Sequence, residues 1–166
     1  MPPAPIFDAA AAHELDDAAL VARIGESHVV GRAALIAEAA RRDLAAARKP
    51  IVDACHDVIA RARPLSPLLD HDARVLEVAI PALVPLDSDA VKLFDRILRH
   101  ANAHVKSALL RDPPHDPRLT GAMVHVAGQD WGWQEKAAKK WLAHHKVRFG
   151  SETEAPSNDN DDEGIN

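Results

Sequence analysis

From Val29 to Ala62 apolar residues recur in steps of three and four without a break: Val29, Ala33, Ile36, Ala40, Leu44, Ala47, Ile51, Ala54, Val58 and Ala62. A strand alternates its faces every two residues and cannot present this series on one side, whereas a helix lines it up as one stripe. Pro50 lies inside the series. A proline in a helix interior removes a donor and clashes with the turn before it, at a cost of about 3 kcal/mol. Because the stripe keeps its phase across Pro50, the sequence predicts two roughly collinear helices or one kinked helix. Ser27 is a suitable N-cap for a start at His28. Glu38, Arg41, Arg42, Arg48 and Lys49 fall opposite the stripe and are expected in solvent.

The same periodicity extends to the rest of the chain. Asp8–Ile24 predicts a first helix that ends at Gly25. Leu69, Ala73, Leu76, Ile80 and Leu83 predict another from Asp70, although the segment Arg74–Ile80 also fits a short strand. Ser88–Arg111 is the clearest amphipathic segment, with Ala90, Leu93, Phe94, Ile97, Ala101, Val105 and Ala108 on one face at 100° per residue. Thr120–Gly128 reads as either a helical turn or an extended piece, and Trp133–Val147 as a last helix. Pro64, Pro67, Pro81, Pro85 and the Asp112–Pro117 stretch punctuate these segments. The fold class expected is all-α, a bundle of about five or six helices. Residues 1–7 read as a flexible lead, 8–149 as a single helical domain and 150–166 as a disordered acidic tail.

Composition supports this. The 166 residues include 32 alanines and only six aromatic side chains, three Trp and three Phe, with no Tyr. Alanine is the best helix former and lets helices approach closely. The single cysteine, Cys55, allows no intrachain disulfide and falls beside Ala54 and Val58, where a small buried hydrophobe is expected. No segment has the form of a secretory signal or a membrane span, so a cytoplasmic location is expected and no membrane partner. The net charge of −5 is uneven. The last sixteen residues hold six acidic side chains and no Lys or Arg; the remainder carries 20 Lys and Arg against 19 Asp and Glu. A near-neutral body is not one that coats nucleic acid electrostatically, though a local patch can still bind it.

Two stretches carry candidate chemistry. In the first, Arg96, His100, His104 and Arg111 line one flank of the Ser88–Arg111 helix while Arg99 points away. The plainest reading is a polar border to the core. As a metal site, His100 and His104 have i, i+4 spacing, but no Glu stands at the expected position. His115, His125, His144 or His145 would have to complete the set, and no metal or cofactor is assigned. Arg99-His-Ala-Asn-Ala-His104 resembles the Arg-(Asn/His/Asp)-x-x-x-His signature of the HEPN family, helical bundles of which many are metal-independent ribonucleases of toxin or defence systems. The resemblance covers six residues. It implies Arg99 on phosphate, His104 as the acid–base group, His100 within the motif, and a homodimer that brings two motifs together. On an ideal helix Arg99 and His104 diverge by about 140°, so one site would need the dimer or a local distortion.

The second stretch, Asp130–Arg148, holds all three tryptophans, at 131, 133 and 141. Between residues 131 and 150 there are five Lys or Arg against one Glu. Trp133, Ala137 and Trp141 form an apolar stripe on a helix, with Lys136, Lys139 and Lys146 opposite. Such tryptophans ordinarily pack on the body of the protein. They also suit a recognition surface in which Trp133 and Trp141 stack or anchor while Lys136, Lys139, Lys140, Lys146 and Arg148 meet an anionic partner. The function expected first is therefore a small binding or adaptor protein, accessory to a nucleic-acid or protein complex. The ribonuclease is the alternative. Phosphate-loop, paired-cysteine, Gly-x-Ser-x-Gly and His-Glu-x-x-His motifs are not found.

Overall fold

Aspartates set where three of the helices begin. Asp8, Asp16 and Asp87 each accept a hydrogen bond at 2.8 Å from the backbone N–H three residues on, satisfying a donor that the first helical turn leaves open. In a computed structural model, residues 6–26 and 30–145 are described. Among them the chain forms nine α-helices joined by turns and two short 3-10 segments, with one isolated β-bridge between Ile6 and Val30. The all-α class holds. The helices are shorter and more numerous than the five or six expected, because side-chain caps and, at Asp43, a left-handed turn break the periodic segments. No helix among the described residues is long and apolar enough to cross a membrane. The chain divides into two compact units, Met1–Leu109 and Leu110–Asn166.

The first unit opens with α1 (Ala9–Glu14) and α2 (Asp17–Ile24). The single helix expected over this stretch is interrupted where Leu15 turns extended and Asp16 caps a new start. α3 (Arg32–Arg41) follows Gly31; the cap expected at Ser27 and His28 lies outside the described residues. α4 (Arg48–Arg61) comes after a 3-10 turn at Ala45–Ala47. The long stripe is therefore divided, but seven residues ahead of the proline: Asp43 takes a left-handed conformation, φ 54°. Pro50 sits at the third position of α4, where the backbone N–H has no partner in the helix, so it is tolerated. α5 (Asp70–Ala82) is the helix expected, running through Pro81 in its last turn. Leu20, Ile24, Leu35, Ile36, Val58, Leu76, Leu83, Phe94 and Ile97 have no accessible surface and form the core. α3 packs mainly on α5, and α4 on α5 and on α6 (Ser88–Arg99). Cys55 is fully buried here, and burial pushes its thiol pKa up to about 12.

Glu38 corrects one expectation. It is buried rather than solvated, held by Arg41 Nη2 and Arg42 Nε at 2.7 Å each and by His13 Nδ1 at 3.0 Å. Hydrogen bonds from Arg41 and then Arg42 hold its carboxyl far below the ordinary range. Arg42 also donates to the carbonyls of Leu15 and His13, 2.8 Å each, and to Asp17 at 2.9 Å. The guanidinium thus ties the end of α3 to the break between α1 and α2. Charged side chains are here fastening helices, which their sequence spacing does not reveal.

The second unit contains a 3-10 turn at Pro117–Leu119, then α8 (Thr120–Asp130) and α9 (Glu135–His145). Thr120–Gly128, which also fitted an extended piece, is helical. Met123, Val126 and Ala127 of α8 and Ala138 and Leu142 of α9 are buried, and the two helices pack together.

Candidate functional site

The Arg–His stretch of the first unit is not one helix. α6 ends at Arg99, His100 turns extended at φ −70° and ψ 140°, and α7 runs from Ala103 to Leu110. The cause is Asn102. Its Oδ1 accepts from the N–H groups of His104 (2.8 Å) and Val105 (3.3 Å), capping α7. Its Nδ2 donates to the Ser66 carbonyl at 2.9 Å and to the Arg63 carbonyl. The amide is completely buried and its described atoms are all used.

This arrangement separates the residues of the candidate motif. Arg99 ends α6 with its Nε 3.1 Å from Asp95 Oδ2. His100 caps α6, its Nδ1 accepting from the Asn102 N–H at 3.0 Å. Burial, and then the Arg96 charge, lower its pKa below the usual histidine value. His104 lies exposed in the first turn of α7. The i, i+4 relation expected between His100 and His104 does not exist, because the helix that would create it is broken between them. Among the described residues no three His, Cys, Asp or Glu side chains converge as metal ligands.

A pairing that the sequence did not disclose lies next to this stretch. Arg96 Nη1 is 2.7 Å from His56 Nδ1, joining α6 to α4 across 40 residues. Burial, then the Arg96 charge, lower the His56 pKa, against the opposing pull of Asp53 and Asp57. The neutral imidazole can accept from the guanidinium, so the pair holds a histidine in its basic form beside a cation. Helical periodicity places both residues at the polar edge of their helices, but only the packing of α4 on α6 brings them together.

In the second unit the tryptophans converge. Trp131 and Trp133 lie in the turn between α8 and α9, where Gly132 adopts φ +69° and the Trp133 N–H donates to the Ala127 carbonyl at 3.0 Å. Trp133 is therefore outside the helix, not the first member of a helical stripe as expected. Its ring still reaches Trp141, with centroids 5.3 Å apart at 67°. Trp131 lies 5.1 Å from Trp133 and 6.5 Å from Trp141. Tilted and edge-on pairs at these distances add about 0.5–1.5 kcal/mol each beyond area burial. Trp141 is buried; Trp131 and Trp133 are half-buried.

Around this cluster α9 supplies charge. Lys139 Nζ lies 2.6 Å from Glu135 Oε1, an i, i+4 pair that lowers the Glu135 pKa. Lys136 and Lys140 are exposed. Lys146, Arg148 and the acidic tail lie outside the described residues. What the geometry offers is an aromatic cluster with two partly open rings on the unit that carries these exposed cations. Comparison with protein-family models, with curated proteins and with solved structures gave no match to this chain.

Proposed function

We propose that the protein is a small helical binding protein, accessory to a nucleic-acid complex, that takes single-stranded nucleic acid on the surface built from Trp131, Trp133, Trp141, Lys136, Lys139 and Lys140. The observation that carries this reading is the tryptophan cluster, whose half-buried Trp131 and Trp133 rings leave aromatic surface open on a unit that also presents Lys136 and Lys140. Bases of any identity stack on such rings, and phosphates favour nearby ammonium groups. Lys146 and Arg148 extend the basic run in sequence, and the acidic tail that follows competes for it, so that the chain masks its own surface.

Anisotropy of a labelled single-stranded oligonucleotide tests this. Wild type is expected to bind at low salt, with affinity falling steeply as salt rises. Lys136→Glu with Lys140→Glu is expected to weaken binding by about tenfold or more, through lost phosphate contacts and added repulsion. Deleting residues 151–166 is expected to strengthen it. Failure to bind at low salt, with and without the tail, rejects the nucleic-acid reading and leaves a protein partner for the same surface. The ribonuclease alternative has weaker support: Arg99 is engaged by Asp95 and stands on a different helix from His104. RNA cleavage lost in His104→Ala would nevertheless establish it.

A further inference from the structure

The link between α4 and α5 displays apolar residues that the fold does not use. Its stretch Pro64-Leu-Ser-Pro-Leu-Leu69 carries no charge, and Pro64, Leu65, Pro67 and Leu69 are all exposed. Leu65 is 91% exposed and Leu69 63%. The chain turns at Pro64 and Leu65, where the Ser66 N–H donates to the Arg63 carbonyl at 3.3 Å. The corner after the proline of such a turn calls for a positive φ and normally for Gly or Asn. Here Leu65 occupies it at φ +64°. A leucine at this corner carries backbone strain and gains no burial.

The turn is also fixed from beneath. The completely buried Asn102 donates to the carbonyls at both of its ends, Arg63 and Ser66, which places the exposed Ala101 and Ala103 beside it. A strained apolar corner that is held in place and left bare has its use outside its own chain. Size and charge narrow what meets it. Two leucine side chains hold fewer carbons than one myristoyl chain, itself a marginal membrane anchor, so a lipid surface is a poor match. Arg63 flanks the uncharged stretch on one side and Asp70 on the other; both are exposed, and neither has an ion-pair partner among the described residues. The next charges outward, Arg61 and Asp72, engage each other at 2.7 Å. A patch with a cation at one end and an anion at the other is complementary to itself turned through a two-fold axis.

We propose that two copies of the chain associate through this patch as an antiparallel homodimer. Leu65 and Leu69 of both copies lie at the centre, and each Arg63 meets the Asp70 of the other copy at the ends. The patch is smaller than the about 20–30 residues per side of a stable interface, so the dimer is weak and forms as concentration rises. It rests on neither the tryptophan surface nor the Arg99–His104 motif.

Sedimentation velocity of the full chain at concentrations up to about 1 mM tests this. Wild type is expected to pass from monomer to dimer over that range. Leu65→Gly is expected to abolish the dimer yet leave the urea midpoint no lower, since it relieves the turn and removes no buried contact. Arg63→Glu and Asp70→Arg, both at exposed positions, each set like charges against one another at both ends. Each alone is expected to weaken association at least about tenfold. Mixed in equal amounts, the two variants pair Glu with Arg at one end and Asp with Arg at the other, and are expected to dimerise as wild type does. A monomer throughout, a dimer indifferent to Leu65→Gly, or a mixture no more associated than its parts would overturn the proposal. So would a chain that stays monomeric but floats with phosphatidylcholine vesicles, which would assign the loop to lipid.

Discussion

Asn102 joins two functions in one buried amide, the cap of α7 and the anchoring of the Arg63–Ser66 turn. Asn102→Ala removes the cap and leaves buried acceptors unmet, and is expected to cost about 2–4 kcal/mol in urea unfolding. Asn102→Asp keeps Oδ1 for the cap but sets a buried carboxylate oxygen against the Arg63 and Ser66 carbonyls, and should cost at least as much as alanine. Half of this was legible in the sequence. Asparagine is a poor interior helix residue and a strong N-cap, so its place within Arg99–His104 was a signal to end one helix and begin another. The apolar periodicity of Ala101 and Val105 concealed it. The other half was not legible, since the carbonyls it meets lie 36 and 39 residues upstream. Cys55 shows the opposite case: its neighbours on one helical face sufficed to place it in the core.

At the scale of elements, hydrophobic period identified the helices and not their ends. The stripe from Val29 to Ala62 keeps its phase through the turn at Arg42–Leu44, so periodicity alone cannot tell one helix from two. The turn depends on Asp43 entering the left-handed region, which Asp tolerates better than most residues. The start of α3 depends more strictly on Gly31. Its φ is +87°, and a Cβ added there would lie 1.8 Å from the Phe7 carbonyl oxygen. Gly31→Ala therefore has to displace backbone that is held by the Phe7 N–H to Val30 carbonyl bond of 2.8 Å. The expected loss is about 2–4 kcal/mol, read as a lower denaturant midpoint. The candidate site was legible to the same degree. The tryptophans and lysines were evident as a group, whereas the turn that gathers Trp131 and Trp133 against Trp141 required the left-handed Gly132. His56 was not found, because its partner Arg96 arrives only through the packing of α4 on α6.

For the whole molecule, ionisation ties stability to pH in two windows. The pKa values of His56 and His100 are lowered from 6.5 in the fold, so below that value the unfolded chain takes up protons first. Stability is complete above about pH 6.5 and declines as pH falls toward their folded values. Glu38 and Asp87 are lowered from 4.5 and 3.8, each mainly by hydrogen bonds to its charged form. Their contribution is present above those values and is lost as pH falls further. Urea midpoints measured across pH are therefore expected to be flat near neutrality, to decline once below about 6.5 and again below about 4.5. Glu38→Gln should remove much of the second decline, and histidine NMR titrations should give midpoints for His56 and His100 below 6.5. The confinement of all three tryptophans to the unit that begins at Leu110 has an optical consequence. Indole emission senses that unit alone, while the helical circular dichroism signal is weighted toward the longer unit before it. One chain thus carries two separable reporters, and their agreement or divergence during unfolding measures directly whether the two units melt as one.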